Sequence, residues 1–423
     1  MDLFAAALFP SILLSSLLLI SVQDFESLKR LKIEGETVIV QVSVFLVPLC
    51  CILKYLHPEA QRVMIPLPKS RNVPGSSWPL AKLDTIPGIN VAKIEALIKT
   101  FWEDEEQDNQ AFVIVHKGTV VKELYKEGPD KTLDSWSMAK SILQIALGIC
   151  IHQGLITEKG IDTAPVGLRK LEWKDDERGS MTMKDLLQMR SGLDFVEVYV
   201  RNEDDMPDVI EMLFGSGKED VAGFVSTKPL RHKPGTKYSY SSGDTNVLSD
   251  MICKMLAQSS DPELKKKAIL EFLSKNLFKT LQFEVNPNPV VDEAGTWIGS
   301  SYCYSIARDF ARLGLLYLRD GVWNGRRLVP EGWVDRARTP SAGANDMPVE
   351  DGPYDYGEHW WIWRDQPYGI FAAHGYEGQR IIVVPALDLV IVRLAKMQGD
   401  GADAFLKYMM DIIACFDTTT TRL

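Results

Sequence analysis

Ser137 and Lys140 lie three residues apart in DSWSMAKSILQIALGIC, residues 134–150. On a helix, positions three apart share a face, so the hydroxyl and the amine would be neighbours. From Ile142 to Ile151 the residues are apolar nearly all round, which is the pattern of a buried helix. Lys140 would then be partly desolvated. Desolvation lowers the pKa of an ammonium toward the range in which the amine works as a general base near neutrality. Ser137, at the helix N-terminus, would stand among free backbone N–H groups and the positive end of the helix dipole, and both stabilise an oxyanion. The pair fits a nucleophile with its base. A helix-capping serine beside a snorkelling lysine fits the same two letters, and the spacing alone leaves both readings open.

The rest of the composition narrows the classes. Hydrophobic residues make up 46% and charged residues 25% of the 423, which is a globular balance. A net charge of −10 argues against a nucleic-acid partner, which would want a basic face. Cys50, Cys51, Cys150, Cys253, Cys303 and Cys415 form no CxxC pair, and the six histidines show no HxxxH or HExxH spacing. The cysteines read as buried thiols, with neither a disulfide framework nor a metal site expected.

Two apolar runs open the chain, Leu3 to Val22 and Val38 to Leu56. Their length makes residues 1–56 a candidate membrane anchor or secretion signal, with the catalytic part soluble. No basic residue precedes the first run, and the lysines and arginines around both runs do not settle an orientation. Residues 57–84 are rich in Pro, Ser and Gly and read as a connector; residues 85–423 form the main domain. In that domain, NVAKIEALIKTFWED has helical spacing, and AFVIVHKGTVVKELYKEG predicts a hairpin around Lys117-Gly118. Strand-rich runs return only near the end, in HWWIWR, GIFAAHG, GQRIIVVP and LDLVIVRLA, followed by a helical ADAFLKYMMDIIACF. The expected fold is therefore α+β: one antiparallel sheet built from N- and C-terminal strands, flanked by helices, with a large helical region inserted between.

Several stretches together carry a family resemblance. SWSMAKS resembles the first motif of the serine β-lactamase and penicillin-binding-protein superfamily, in the branch of class C β-lactamases, related esterases and 6-aminohexanoate-dimer hydrolases. MTMKDLLQMRSGLDF (181–195), PGTKYSYSSGDTNVL (234–248), the helical segment 299–334 and HGYEGQRIIVVPALDLVIVRL (374–394) resemble later parts of that branch in the same order. Such collinearity is far more specific than any single motif. The resemblance runs over residues 85–416.

The resemblance implies roles residue by residue. Tyr240-Ser241-Ser242 stands where the family has Tyr-x-Asn or Tyr-x-Ser. Tyr240 would shuttle a proton between nucleophile and leaving group, and Ser242 would hold that network by hydrogen bonds. Ala373-His374-Gly375 stands where β-lactamases and transpeptidases carry Lys-Thr/Ser-Gly, so the lysine that binds a substrate carboxylate is replaced by alanine. Gly375 would still let the strand approach a ligand closely, as a substrate-binding position. The Tyr376 N–H would be the second oxyanion donor. His374 and Tyr199 are candidate substrate contacts. Arg380 either meets an anionic substrate or faces solvent. Trp360, Trp361 and Trp363 read as sheet packing rather than site.

These readings converge on a serine hydrolase that forms an acyl-enzyme on small esters or amides, with Ser137, Lys140, Tyr240, Ser242 and Tyr376 as machinery and no cofactor. A β-lactamase or DD-peptidase-like enzyme, and an inactive membrane-tethered binding module, are the alternatives. Oligomeric state is not legible.

Overall fold

The computed structural model describes residues 64–163, 175–197, 206–342, 352–398 and 402–418, with Trp173, Asp346 and Met347. Residues 1–63 are a separate unit, of which it describes only the paired strands Lys32–Ile33 and Glu36–Thr37. Both apolar runs lie outside the described residues, and with them the expected anchor. Among the described residues no helix is long and apolar enough to cross a membrane.

In chain order the main unit sets out α1 (Val91–Glu103), β1 (Asn109–His116), β2 (Thr119–Tyr125), α2 (Met138–His152), α3 (Ser242–Ala257) and α4 (Ala307–Leu318). Then come β3 (Tyr354–Tyr356), β4 (Trp361–Trp363), β5 (Phe371–Gly375), β6 (Gln379–Val384), β7 (Leu389–Ala395) and α5 (Ala402–Ala414). These strands form one sheet in the order β2-β1-β7-β6-β5-β4-β3, with every neighbouring pair antiparallel. The N-terminal hairpin thus pairs with the C-terminal meander through β1 and β7, and the helical region is inserted between, as the spacing of the strand runs predicts. The hairpin turns at Lys117 and Gly118, whose φ values of 52° and 84° are both left-handed, the geometry a two-residue primed turn requires.

Alternation along β7 shows why the strands read as unbroken apolar runs. Val390 and Val392 enter the cluster with α2 and α4, while Leu389 and Ile391 enter the cluster with α1 and α5. A sheet covered on both faces needs apolar residues at every position. In α2 every residue from Met138 to Ile151 is buried, Lys140 included. This is the fold in which an amine can be taken out of water.

Residues 64–82 are irregular yet tied down. The buried Arg312 donates to the Gly75 carbonyl at 2.9 Å, Arg319 donates to that of Asn72 at 3.0 Å, and Trp78 packs into the main core. Cys150, Cys253 and Cys303 are buried free thiols, in keeping with their apolar surroundings in sequence, and Cys415 is half-buried.

Candidate active site

Ser137 immediately precedes α2 with helical angles of −62° and −5°, and its side chain caps nothing. The capping reading therefore fails, and the hydroxyl is left to the site. Lys140 Nζ lies 2.9 Å from Ser137 Oγ, 2.9 Å from Ser242 Oγ and 3.0 Å from the Ser300 carbonyl oxygen. All three contacts are uncharged oxygens. Burial holds the Lys140 ammonium down at about 8, although Glu197 and Asp244 pull the other way. The shift from 10.5 corresponds to ~3 kcal/mol against the charged form.

The Tyr240-Ser241-Ser242 segment divides its labour. Ser241 Oγ accepts from the Asp244 N–H and caps α3, which releases the Ser242 hydroxyl from that duty. Ser242 Oγ accepts from Lys140 and donates to Glu197 Oε1 at 2.5 Å, while the Ser242 N–H donates to Glu197 Oε2 at 2.7 Å. A carboxylate at the first turn of a helix is electrostatically at home there. The Tyr240 ring lies under Lys140, its centroid 4.9 Å from Nζ. Asp244, one turn on, is pushed up to about 7 by burial, against hydrogen bonds from Ser191 and Ser241.

The final strand comes in against the turn that precedes Ser137. A Cβ on Gly375 would lie 2.5 Å from the Ser135 carbonyl oxygen and 3.2 Å from Trp136 Cβ, so only glycine fits. The close approach that Gly375 makes here is to the Ser135–Trp136 backbone. Tyr376 follows with its ring exposed and its N–H beyond the end of β5. Ala373 is buried in the core, and nothing at that position offers a cation.

His374 sits in an aromatic box. It stacks on Trp361 at 5.3 Å and accepts from Trp363 Nε1 at 3.2 Å; burial holds it neutral, well below the usual histidine range. Arg380 is half-buried over the Phe405 ring, its guanidinium donating to the Gly375 and Gln379 carbonyls at 2.8 Å each. It braces the strand end. Tyr199 lies outside the described residues.

The structure thus gathers Ser137, Lys140, Tyr240, Ser242 and the Gly375–Tyr376 corner in one place. The sequence profile of the family described as Beta-lactamase matches residues 94–411. The chain belongs to the beta-lactamase family. It is a hydrolase by that membership. This family member is 27% identical over 312 residues to a 6-aminohexanoate-dimer hydrolase of Paenarthrobacter ureafaciens, covering 69% of this chain and 73% of that one. Its fold matches a Bacillus anthracis protein provisionally named a 6-aminohexanoate-dimer hydrolase, with TM-score 0.65, 19% identity and coverage of 87% and 94%. It also matches a family VIII carboxylesterase, with TM-score 0.58, 11% identity and coverage of 80% and 99%.

Four contributors escaped the sequence reading. Glu197 stands in a segment read for Tyr199, and no fixed spacing links its carboxylate to the serine it holds. His359 bonds the Lys140 carbonyl through Nδ1 at 3.0 Å and Thr245 Oγ1 through Nε2 at 3.3 Å. Burial holds its imidazole down at about 3, so it pins α2 to α3 as a neutral strut. Trp361 packs on Tyr240 at 5.3 Å; the alternation that groups it with its neighbours gives no hint of this. Ser300 acts through its carbonyl, which any residue type would supply.

Proposed function

We propose that the protein hydrolyses small carboxylic esters or amides through an acyl-enzyme on Ser137. The observation that carries this reading is Lys140: a buried amine 2.9 Å from Ser137 Oγ that, among the described residues, contacts no carboxylate. With its ammonium held at about 8, about one molecule in ten carries the neutral amine at pH 7. That fraction takes the Ser137 proton as Oγ bonds to the substrate carbonyl carbon. The N–H groups of Ser137 and Tyr376 hold the resulting oxyanion. The proton passes through the Lys140–Tyr240 pair to the leaving oxygen or nitrogen as the carbon–heteroatom bond breaks. In the second half the same pair takes a proton from water, whose oxygen attacks the acyl carbon. Ser137 recovers its proton and the acid departs.

Small esters or amides are favoured over β-lactams because Ala373 is apolar and buried where the family's carboxylate-binding lysine would stand, and Arg380 spends two of its donors on backbone carbonyls. The test is pre-steady-state hydrolysis of a p-nitrophenyl ester by the full chain, with intact mass read during the burst. A burst with an acyl adduct, both lost in Ser137→Ala, supports the reading. A folded protein that gives neither burst nor adduct, and does not react with a fluorophosphonate, overturns it.

A further inference from the structure

The two oxyanion donors come from segments more than two hundred residues apart in sequence, and something must fix their separation. Each donor has a neighbour in left-handed backbone: Trp136, immediately before Ser137, has φ 43°, and Glu377, immediately after Tyr376, has φ 55°. Neither is a glycine or an asparagine, the residues that adopt this region at least cost. Bulky side chains at strained positions call for a compensating contact. They have one in each other. Trp136 Nε1 donates to Glu377 Oε2 at 3.0 Å, a charge-assisted bond that joins the turn before one donor to the turn after the other.

The Glu377 end is tied to neighbouring backbone and to β7. Its carbonyl accepts from the Met397 N–H at 3.1 Å, and the Gly378 carbonyl accepts from the buried Arg393 of β7 at 3.2 Å. The Trp136 ring packs edge-on against Tyr376 at 5.5 Å and lies 5.7 Å from Tyr302. We infer that the Trp136–Glu377 hydrogen bond is a clamp that sets the distance between the two oxyanion donors, so that both are positioning residues for the acyl-enzyme chemistry proposed above, on which this role rests. Neither side chain touches the reacting atoms. Their effect is transmitted through the Ser137 and Tyr376 amides, and it is felt where oxyanion charge develops rather than where substrate first binds.

The test uses the full chain, a p-nitrophenyl butyrate ester labelled with 13C at its carbonyl, and the variants Trp136→Phe, Glu377→Ala and Glu377→Gln. Phenylalanine keeps a smaller aromatic ring against Tyr376 and loses the N–H donor; glutamine keeps an acceptor. Expected are a fall in kcat of about 10- to 100-fold in Trp136→Phe and Glu377→Ala with KM nearly unchanged. The acyl-enzyme carbonyl band should move to higher wavenumber in both, and Glu377→Gln should recover most of the rate and the band position. A purely structural tryptophan would leave the band where it is. Wild-type carbonyl bands and rates in Trp136→Phe and Glu377→Ala overturn the clamp while leaving the hydrolase reading intact. Should Trp136→Phe not fold, the Glu377 pair decides, since glutamine restores the acceptor and the chain length that alanine lacks. A wild-type protein that forms no adduct on Ser137 overturns the hydrolase reading, and the clamp with it.

Discussion

Lys140 and Lys265 are both buried, at 2% and 3% exposure, and each ammonium touches three oxygens. Lys265 Nζ lies 2.7 Å from Asp250 Oδ1, 2.7 Å from the Ala294 carbonyl and 3.1 Å from Thr296 Oγ1. Lys140 meets two hydroxyls and a carbonyl. The difference is one carboxylate. A buried ammonium in direct contact with a carboxylate is an ion pair, and removing one partner is costly. One surrounded by neutral dipoles bears its desolvation without such relief, and a neutral amine is what the site then offers. In the function proposed above, burial alone would not make a lysine a base; the company it keeps decides.

The sharpest way to break this comparison is to remove both amines. Lys140→Met should lower kcat/KM by about 10³-fold or more with little loss of stability, since a costly charge is removed along with the base. Lys265→Met should leave Asp250 buried with Lys254, at 2.9 Å, as its remaining cation among the described residues, and should cost about 3 kcal/mol of stability with near-normal activity per folded molecule. Denaturant midpoints and ester hydrolysis, measured on both, check the pair. Equal losses of activity would erase the distinction.

Only one side of the comparison was legible in the sequence. Ser137 and Lys140 are three residues apart on one helix, and local periodicity shows both the pairing and the burial. Lys265, Asp250 and Thr296 sit on three separated segments, so nothing local announces their meeting. The same rule divides the rest. The hairpin at Lys117-Gly118 and the apolar runs of β6 and β7 are local patterns, and with them the split sheet could be read. Glu197, His359 and the Trp136–Glu377 bond depend on tertiary approach. The carbonyls of Ser300 and Gly375 carry no residue-specific signal at all.

Next in size is crowding beside each lysine. Gly375→Ala should lower kcat/KM by about 100-fold, because its Cβ would stand 2.5 Å from the Ser135 carbonyl oxygen and push the nucleophile turn off its geometry. Gly295→Ala, next to the Ala294 carbonyl that Lys265 bonds, would put a Cβ 2.2 Å from the Pro262 carbonyl oxygen at φ +77°. Its cost should fall on the melting temperature, with kcat/KM of the folded protein unchanged.

Single acceptors sharpen the contrast further. Ser242→Ala removes one of the three oxygens around Lys140 and the hydroxyl that links it to Glu197; kcat should fall about 10-fold, with KM little changed. Thr296→Val removes one of the three around Lys265 and should cost about 1 kcal/mol of stability only. If Ser242→Ala behaved like Thr296→Val, the Ser242–Glu197 arm would be scaffolding.

The smallest effect is a shift in a pH profile, and its sign separates the two lysines most cleanly. With the Lys140 ammonium at about 8, kcat/KM should rise with pH through a limb near that value, because the neutral amine is the active form. Folding feels the same group. Between about 8 and 10.5 the unfolded chain keeps the proton that the folded chain has lost, so stability contributed by Lys140 rises with pH across that window. Glu197 opposes the depression: its negative charge, one hydroxyl away, favours the ammonium. Glu197→Gln should therefore move the limb to lower pH, by about one unit for a charge at that range in a partly solvated site. Asp250→Asn, which removes the carboxylate beside Lys265, should leave the limb where it is. A limb that moved up in Glu197→Gln, or followed Asp250 instead, would mean that the titrating group is not Lys140.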